Sequence, residues 1–358
     1  MTDASISNIT ARPIISPLKR PIKTASGEIP NAPLVLIDVE TSAGITGCAY
    51  IFCYTPLTMV PVVSFLNNLK EQWIGKPVAP VSLMADGETM FRLLGRQGLV
   101  GMALAGIDMA LWDALGKMHN APVVELLGGS AEPVLAYDSY GILDPDRDAH
   151  ILETSVDAGF KGIKIKLNGI GRANDIQTVA AVRHIIGEDI ELMVDFNQSL
   201  AVPEAQYRIT AISEHNIHWV EEPVPAEDLA GHARIREKSN IPIQTGENWW
   251  FPEGMALSIA AGASDLAMID IMKIGGVSGW LRAMGQAEAA SLPVSSHLFT
   301  EASAHVLPVT PTAHWLEYLD IASAVLQEPP QPVDGFVTAQ GPGLGIVWDE
   351  KAIERLTN

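Results

Sequence analysis

The chain has 358 residues, with 23 Lys and Arg against 42 Asp and Glu for a formal charge of −19, and 47% of it is hydrophobic and 18% charged. That balance is globular, long enough for two domains or one augmented barrel, and excludes a disordered or fibrous chain. It also argues against nucleic acid or an anionic membrane surface as partner, since no basic patch would neutralise phosphates, while leaving open a small anion held by local cations.

In chain order, the N-terminal MTDASISNIT lacks a basic stretch followed by an apolar one. No uncharged apolar run approaches the roughly 18 residues of a membrane span, so neither standard export nor insertion is expected. Alternating SNITARPIIS and apolar APLVLIDVE are separated by a polar, Gly- and Pro-containing stretch from Lys19 to Asn31, and SAG at Ser42–Gly44 turns into ITGCAYIF. This predicts a small antiparallel sheet with one long loop. Cys48 and Cys53 lie five apart in that region. An odd separation on a strand puts them on opposite faces, which argues against a mutual disulfide and for a reduced, cytoplasmic setting. Helical periodicity follows over Pro56–Trp73, Val81–Leu94 and Leu99–Met118, the last apolar at Met102, Ile107, Leu111 and Leu115 with Gly128 and Gly129 beyond it. These segments make an α+β module of about 130 residues.

From Val134 short apolar runs alternate with amphipathic, helix-length segments: VLAYDS, GIKIKL, ELMVDF, IHWVEE, IPIQTGE, LAMIDI, LPVSSH and HWLEYL. About eight strands is the number that closes a β/α barrel. Their polar ends are Ser139, Lys164 with Lys166, Asp195, Glu221, Glu247, Asp270, His297 and Glu317, and the steps 195 to 221, 221 to 247 and 247 to 270 are 26, 26 and 23 residues. Any one could be an ordinary loop residue. Eight in succession would converge on the carboxyl face of a barrel, where barrel enzymes keep their active sites.

Asp195, Glu221 and Glu247 end three successive strands, and three close carboxylates repel unless a cation lies between them. All-oxygen ligation selects a hard ion, Mg²⁺, and disfavours zinc. Glu222 beside Glu221 points differently and supports the site from behind, while Asn197 is placed to hydrogen-bond a bound oxygen. Lys164 and Lys166 share a strand face, so their mutual repulsion should lower the pKa of one; Lys166, nearer the mouth, is the candidate base and Lys164 stays cationic to hold a carboxylate. Asp270 can fix the tautomer of His297 and favour its protonated form. Glu317, in apolar company, is expected either to stay protonated through desolvation or to pair with a lysine across the mouth.

These residues resemble the mandelate racemase subgroup of the enolase superfamily. The likeness runs from APLVLID at Ala32 through AGIDMALWDALGK, KIK, VDFNQS, EEP, GENW, DIMKIGGVSGW, SSHLF and SAH to PTAHWLEYLD. It implies an α/β fold, a modified (β/α)7β barrel over residues 131–320, with an N-terminal α+β capping domain over 1–130 and a C-terminal segment, 321–358, returning to the cap. It assigns Mg²⁺ to Asp195, Glu221 and Glu247, and opposed bases to Lys166 and to His297 with Asp270. Lys164 and Ser139 would bind the substrate carboxylate, Asn197 the α-hydroxyl, and Glu317 would be the electrophilic partner. Around the substrate it places Ile22, Ile29, Phe52, Tyr54, Leu298 and Leu319. Ser26 stands in the cap loop where the subgroup carries an aliphatic residue, and Tyr140 follows Ser139 where it carries histidine. A symmetric homo-oligomer, often an octamer, is also implied.

The set suits proton chemistry next to a carboxylate, where a second negative charge must be surrounded by positive groups. Two bases on opposite faces predict racemisation of a 2-hydroxy acid, and the apolar walls favour an aryl or unsaturated one. The same residues could eliminate water from an acid sugar, with His297 protonating the departing hydroxyl. A barrel that only binds a carboxylate and Mg²⁺ should have lost part of the acid/base set, and none is missing.

Overall fold

A computed structural model of the chain describes residues 4–24, 27–167 and 170–357. Its N-terminal part is an antiparallel sheet in the order β1 (Ile6–Thr24), β2 (Gly27–Thr41), β3 (Thr46–Phe52). Against it pack α1 (Met59–Trp73) and α3 (Leu99–His119), with α2 (Pro80–Met90) laid on α3 and the single turn α4 (Val123–Leu126) following. Leu34 through Ile37 on the central strand β2 are wholly buried, which is why that sequence runs apolar without alternation. By length and composition α3 could cross a bilayer, yet 83% of its most apolar stretch is buried in the fold. Gly106 lets the sheet lie directly on α3: a Cβ there would stand 2.5 Å from Ile37 and 2.8 Å from Ile51.

Two sequence expectations are corrected here. Within Lys19–Asn31, the described residues up to Thr24 and from Gly27 are not loop but paired strand ends, with Ile22 opposite Ile29, Lys23 opposite Glu28 and Thr24 opposite Gly27. Pairing breaks between Pro17 and Ile22, where Pro17 and Pro21 cannot donate to the ladder, and that interruption is what reads as loop in the sequence. Ser26 lies outside the described residues. The second helix ends at Met90 rather than Leu94, because Phe91 leaves helical geometry (φ −102°, ψ 15°) and its ring packs on Phe65 at 5.3 Å. Cys48 and Cys53 are both buried and free.

Eight parallel strands follow: β4 (Val134–Ile142), β5 (Gly162–Lys166), β6 (Glu191–Asp195), β7 (Ile217–Glu221), β8 (Ile243–Thr245), β9 (Leu266–Asp270), β10 (Val294–His297) and β11 (Leu316–Tyr318). Each pairs with the next from β4 to β10, β11 lies beside β4, and a bridge from Val294 to Ala313 nearly closes the ring. The helices α5 (Pro145–Asp157), α6 (Arg172–Ile186), α7 (Val202–Ile212), α8 (Leu229–Arg236), α9 (Phe251–Ala261), α10 (Gly276–Ala290) and α11 (Thr300–Val306) separate consecutive strands, giving (β/α)7β. A short β12 (Phe336–Val337) pairs antiparallel with β4. The C-terminal α12 (Glu350–Thr357) returns to the cap, where Glu350 meets Arg12 at 2.6 Å.

Tyr137, Met193, Trp219 and Trp315 form a buried cluster. Each lies two residues before Ser139, Asp195, Glu221 or Glu317, on the same strand face. Apolar filling therefore occupies the lower layer of the barrel, and the same inward direction presents polar groups at its carboxyl end.

Candidate active site

Strand register sets the polar groups level with one another. Lys166 pairs with Asp195, Asp195 with Glu221, and His297 with Asp270, while Lys164 pairs with Ser139. Glu247 sits just past β8 on a turn through Gly246 (φ 139°), where a Cβ would come within 2.6 Å of the Met268 carbonyl. One carboxylate oxygen from each of Asp195, Glu221 and Glu247 lies within 4.8 Å of the others.

Around the ring, β5 with its lysines flanks this triad on one side and β9–β10 with Asp270 and His297 flank it on the other. Lys166 Nζ contacts Asp195 Oδ2. His297 Nδ1 lies 2.7 Å from Asp270 Oδ2, and its Nε2 lies 3.1 Å from Glu247 Oε2. Lys164 Nζ bridges Glu221 at 2.9 Å and Glu317 at 2.8 Å, and both Lys164 and Glu317 are 1% exposed. Glu317 also accepts from Ser139 Oγ at 2.8 Å and from the Leu298 amide at 2.9 Å. Ser139 and Lys164 thus sit beneath the cavity, engaged with Glu317, and are not among its lining residues.

The charge states depart from the sequence expectation at Lys166 and decide between the two alternatives for Glu317. Burial opposes charge on Lys166 and Lys164 also disfavours it, yet Asp195 with Glu247 and Glu221 outweighs both, so its pKa is raised rather than lowered. Lys164 is likewise held charged against burial, by Glu221 and Glu317. Sequence separation along β5 shows the two ammonium groups but not the carboxylates on the strands beside them. Glu317 is not kept protonated: burial alone would push it up, but Lys164 and His297 hold it at about 2, so the ion pair is the form present. His297 follows expectation, raised against burial by Glu247, Glu317 and Asp270.

The triad fits a hard divalent cation. Its donors are all oxygen, and burial with the neighbouring Asp195 and Glu247 charges pushes the Glu221 carboxyl up despite Lys164, a repulsion that a cation between the three would relieve. Asn197, at φ 45°, donates through its amide N at 2.6 Å and Nδ2 at 2.9 Å to Asp195, leaving its buried Oδ1 without a partner and available to a bound group. Glu222 lies behind the triad: it is buried at φ 34°, accepts from Asn248 Nδ2 at 2.7 Å, and burial raises its pKa to about 8.

Above the carboxyl ends opens a cavity of about 640 Å³. Ile22 and Ile29, paired across the hairpin, roof it; Phe52, Tyr54, Leu298 and Leu319 supply further walls; Lys166, Asn197, Glu247 and His297 reach it from below. Lys273 and Asn248, not singled out in the sequence, also line it, with Lys273 Nζ donating to Asn248 Oδ1 at 2.6 Å. Their signal was positional: each falls in the turn just after a polar strand end, at GEN and DIMK.

A cap whose hairpin roofs a barrel mouth, over a carboxylate triad flanked by a lysine and a histidine–aspartate pair, defines a metal-assisted barrel enzyme. The chain belongs to the mandelate racemase and muconate lactonizing enzyme family of the enolase superfamily: residues 8–128 match its N-terminal domain and residues 147–352 the enolase C-terminal domain-like family. An enolase from Bradyrhizobium, solved with magnesium and mandelic acid, is 55% identical with a TM-score of 0.97 over 99% of each chain. A D-galactarolactone cycloisomerase from Agrobacterium fabrum is 31% identical over 94% of both chains. An L-talarate/galactarate dehydratase from Salmonella typhimurium is 31% identical over 72% of this chain and 66% of its own.

Proposed function

We propose that the protein is a Mg²⁺-dependent racemase of 2-hydroxy carboxylates, acting on mandelate or a related aryl or unsaturated acid by a two-base mechanism. The observation that carries this reading is the placement of Lys166 and His297 on opposite flanks of one carboxylate triad, both lining the same cavity. Mg²⁺ held by Asp195, Glu221 and Glu247 would supply the positive charge that eases ionisation next to a carboxylate. On one flank Lys166 Nζ takes or returns the α-proton, serving as base in the fraction that has released its own proton. On the other, His297 Nε2 does the same, with Asp270 on Nδ1 holding the ring and stabilising its charged form. A proton removed by one and replaced by the conjugate acid of the other inverts the centre. Because Glu317 is ionised, the cationic group that supports the developing charge is the Lys164 ammonium paired with it. Asn197 Oδ1 accepts from the substrate's hydroxyl, and the hairpin excludes water.

The walls support the substrate class: Ile22, Ile29, Phe52, Leu298 and Leu319 present no hydrogen-bonding side-chain atom to a sugar chain. The Bradyrhizobium neighbour holding mandelic acid supports it as well. The second reading, elimination of water from an acid sugar with His297 as the acid, draws support from Gln198, Asn248 and Lys273 in the cavity and from the dehydratase relative. Incubating each enantiomer of a panel of 2-hydroxy acids and acid sugars with Mg²⁺ in deuterated water separates them. Loss of optical rotation with α-deuterium uptake supports racemisation; accumulation of a keto acid without racemisation replaces it with the dehydratase.

A further inference from the structure

Directly after His297 the chain does something unusual for residues with side chains: Leu298 and Phe299 both adopt the left-handed region, at φ 51° and 47°. Two consecutive non-glycine residues there are unfavourable and persist only where the surroundings over-determine them. This turn matters to the site because it fixes where His297 leaves β10, places the Leu298 side chain in the cavity wall, and aims the Leu298 amide at Glu317 Oε2 at 2.9 Å.

Part of the restraint is local. Ser303 on α11 donates through Oγ to the Leu298 carbonyl at 3.0 Å and through its amide to the Phe299 carbonyl at 2.8 Å. The rest comes from the cap. Tyr50 on β3, 2% exposed, stacks on the Phe299 ring with centroids 5.1 Å apart and planes 21° apart. Its hydroxyl donates to Glu301 Oε2 at 2.6 Å, one helical step beyond the turn, and Glu301 is 7% exposed. One cap side chain therefore holds both the second strained residue and the helix start that follows it. Burial raises the Glu301 carboxyl to about 7, so it accepts this bond without placing a full charge in the interface at neutral pH and below.

We propose that Tyr50 is a positioning residue for His297, holding the Leu298–Phe299 turn through Phe299 and Glu301 so that the cap sets the aim of one of the two bases. This rests on the two-base reading, and it makes an asymmetric prediction that a general stabilising role does not. Lys166 is on β5, on the far flank of the triad, whereas the stacking and the hydrogen bond of Tyr50 fall on Phe299 and Glu301.

The test is α-deuterium exchange measured separately for the two enantiomers, in wild type, Tyr50→Phe, Tyr50→Leu and Glu301→Gln. Displacing a base by about 1 Å costs about 10²-fold, so Tyr50→Leu, which loses both grips, should lower exchange from the His297 face by about that factor and leave the Lys166 face near wild type. Tyr50→Phe, which keeps the ring, should show a smaller loss on the same face only. Glu301→Gln keeps an acceptor for the hydroxyl and should retain exchange on both faces. The loss should fall in the exchange rate at saturating substrate for that enantiomer rather than in its KM. Equal losses on both faces, or full exchange in Tyr50→Leu, overturn the proposal. If wild type exchanges neither enantiomer, the racemase reading fails, and a crystal structure of Tyr50→Leu then decides: a turn still left-handed with His297 Nδ1 still bonded to Asp270 overturns the positioning role, and a displaced imidazole sustains it.

Discussion

Replacing Glu317 by Gln keeps the volume of a side chain 1% exposed while removing its charge, and so isolates what the Lys164–Glu317 pair contributes. In the folded protein the carboxyl is held at about 2 against an ordinary 4.5. Such a difference corresponds to about 3 kcal/mol of stability at neutral pH. The cost of breaking a buried pair points the same way, about 3 kcal/mol at its lower end, because Lys164 keeps Glu221 as a partner. For 358 residues at about 2.1 cal/mol/K each the unfolding entropy is about 0.75 kcal/mol/K, so Tm should drop by about 4 °C. The sign with pH follows from the depressed folded value: the contribution is fully present above 4.5 and lost as pH falls towards 2. The gap in Tm between wild type and Glu317→Gln should therefore be widest at neutral pH and close below 4.5, read by calorimetry or near-ultraviolet circular dichroism across a pH series. Turnover should fall as well, because the Lys164 ammonium that faces the developing negative charge loses one of the two carboxylates that hold it in place. A gap that stays constant with pH, or a variant as stable as wild type at neutral pH, would refute the ion pair as described.

Glu247→Gln removes one ligand of the triad, and isothermal titration should show Mg²⁺ affinity lowered about tenfold or more. Asp270→Asn keeps a hydrogen-bonding group beside His297 Nδ1 but removes the charge favouring the imidazolium, so exchange from the His297 face should drop about 10² to 10⁴-fold with the Lys166 face preserved. Asp108 on α3, bonded to Ser278 on α10 across the junction of cap and barrel, is pushed by burial from 3.8 to about 7. The folded chain thus holds a proton that the unfolded chain releases, and stability should decline by about 4 kcal/mol as pH rises from about 4 to 7, a slope that Asp108→Asn should flatten in thermal melts.

The barrel and its triad are legible in the sequence because a βα unit repeats at near-constant length and each unit ends on a polar residue at Asp195, Glu221 and Glu247. The cavity walls at Ile22, Ile29, Tyr54, Leu298 and Leu319 were reached through resemblance alone. Their positions along the chain carry no spacing signal, since cap and barrel meet only in three dimensions. What stayed hidden was cross-strand chemistry. The charge on Lys166, and the choice between the two states open to Glu317, turn on Asp195 and Lys164, partners set by strand register rather than by nearness along the chain. Tyr50 and Glu301, 251 positions apart, give no sign of each other in sequence. The paired strand ends up to Thr24 and from Gly27 read as loop because Pro17 and Pro21 interrupt a ladder that resumes at Ile22.

The central claim is that two bases serve two faces of one substrate, and single-base variants in deuterated water test it most directly. His297→Asn leaves the triad, Lys164, Glu317 and Lys166 in place. With Mg²⁺ present it should cease to racemise yet still exchange the α-proton of one enantiomer with retention. Lys166→Met should do the same for the other enantiomer only. If either folded, metal-competent variant racemises at a rate near wild type, or loses exchange of both enantiomers together, the two-base account is contradicted.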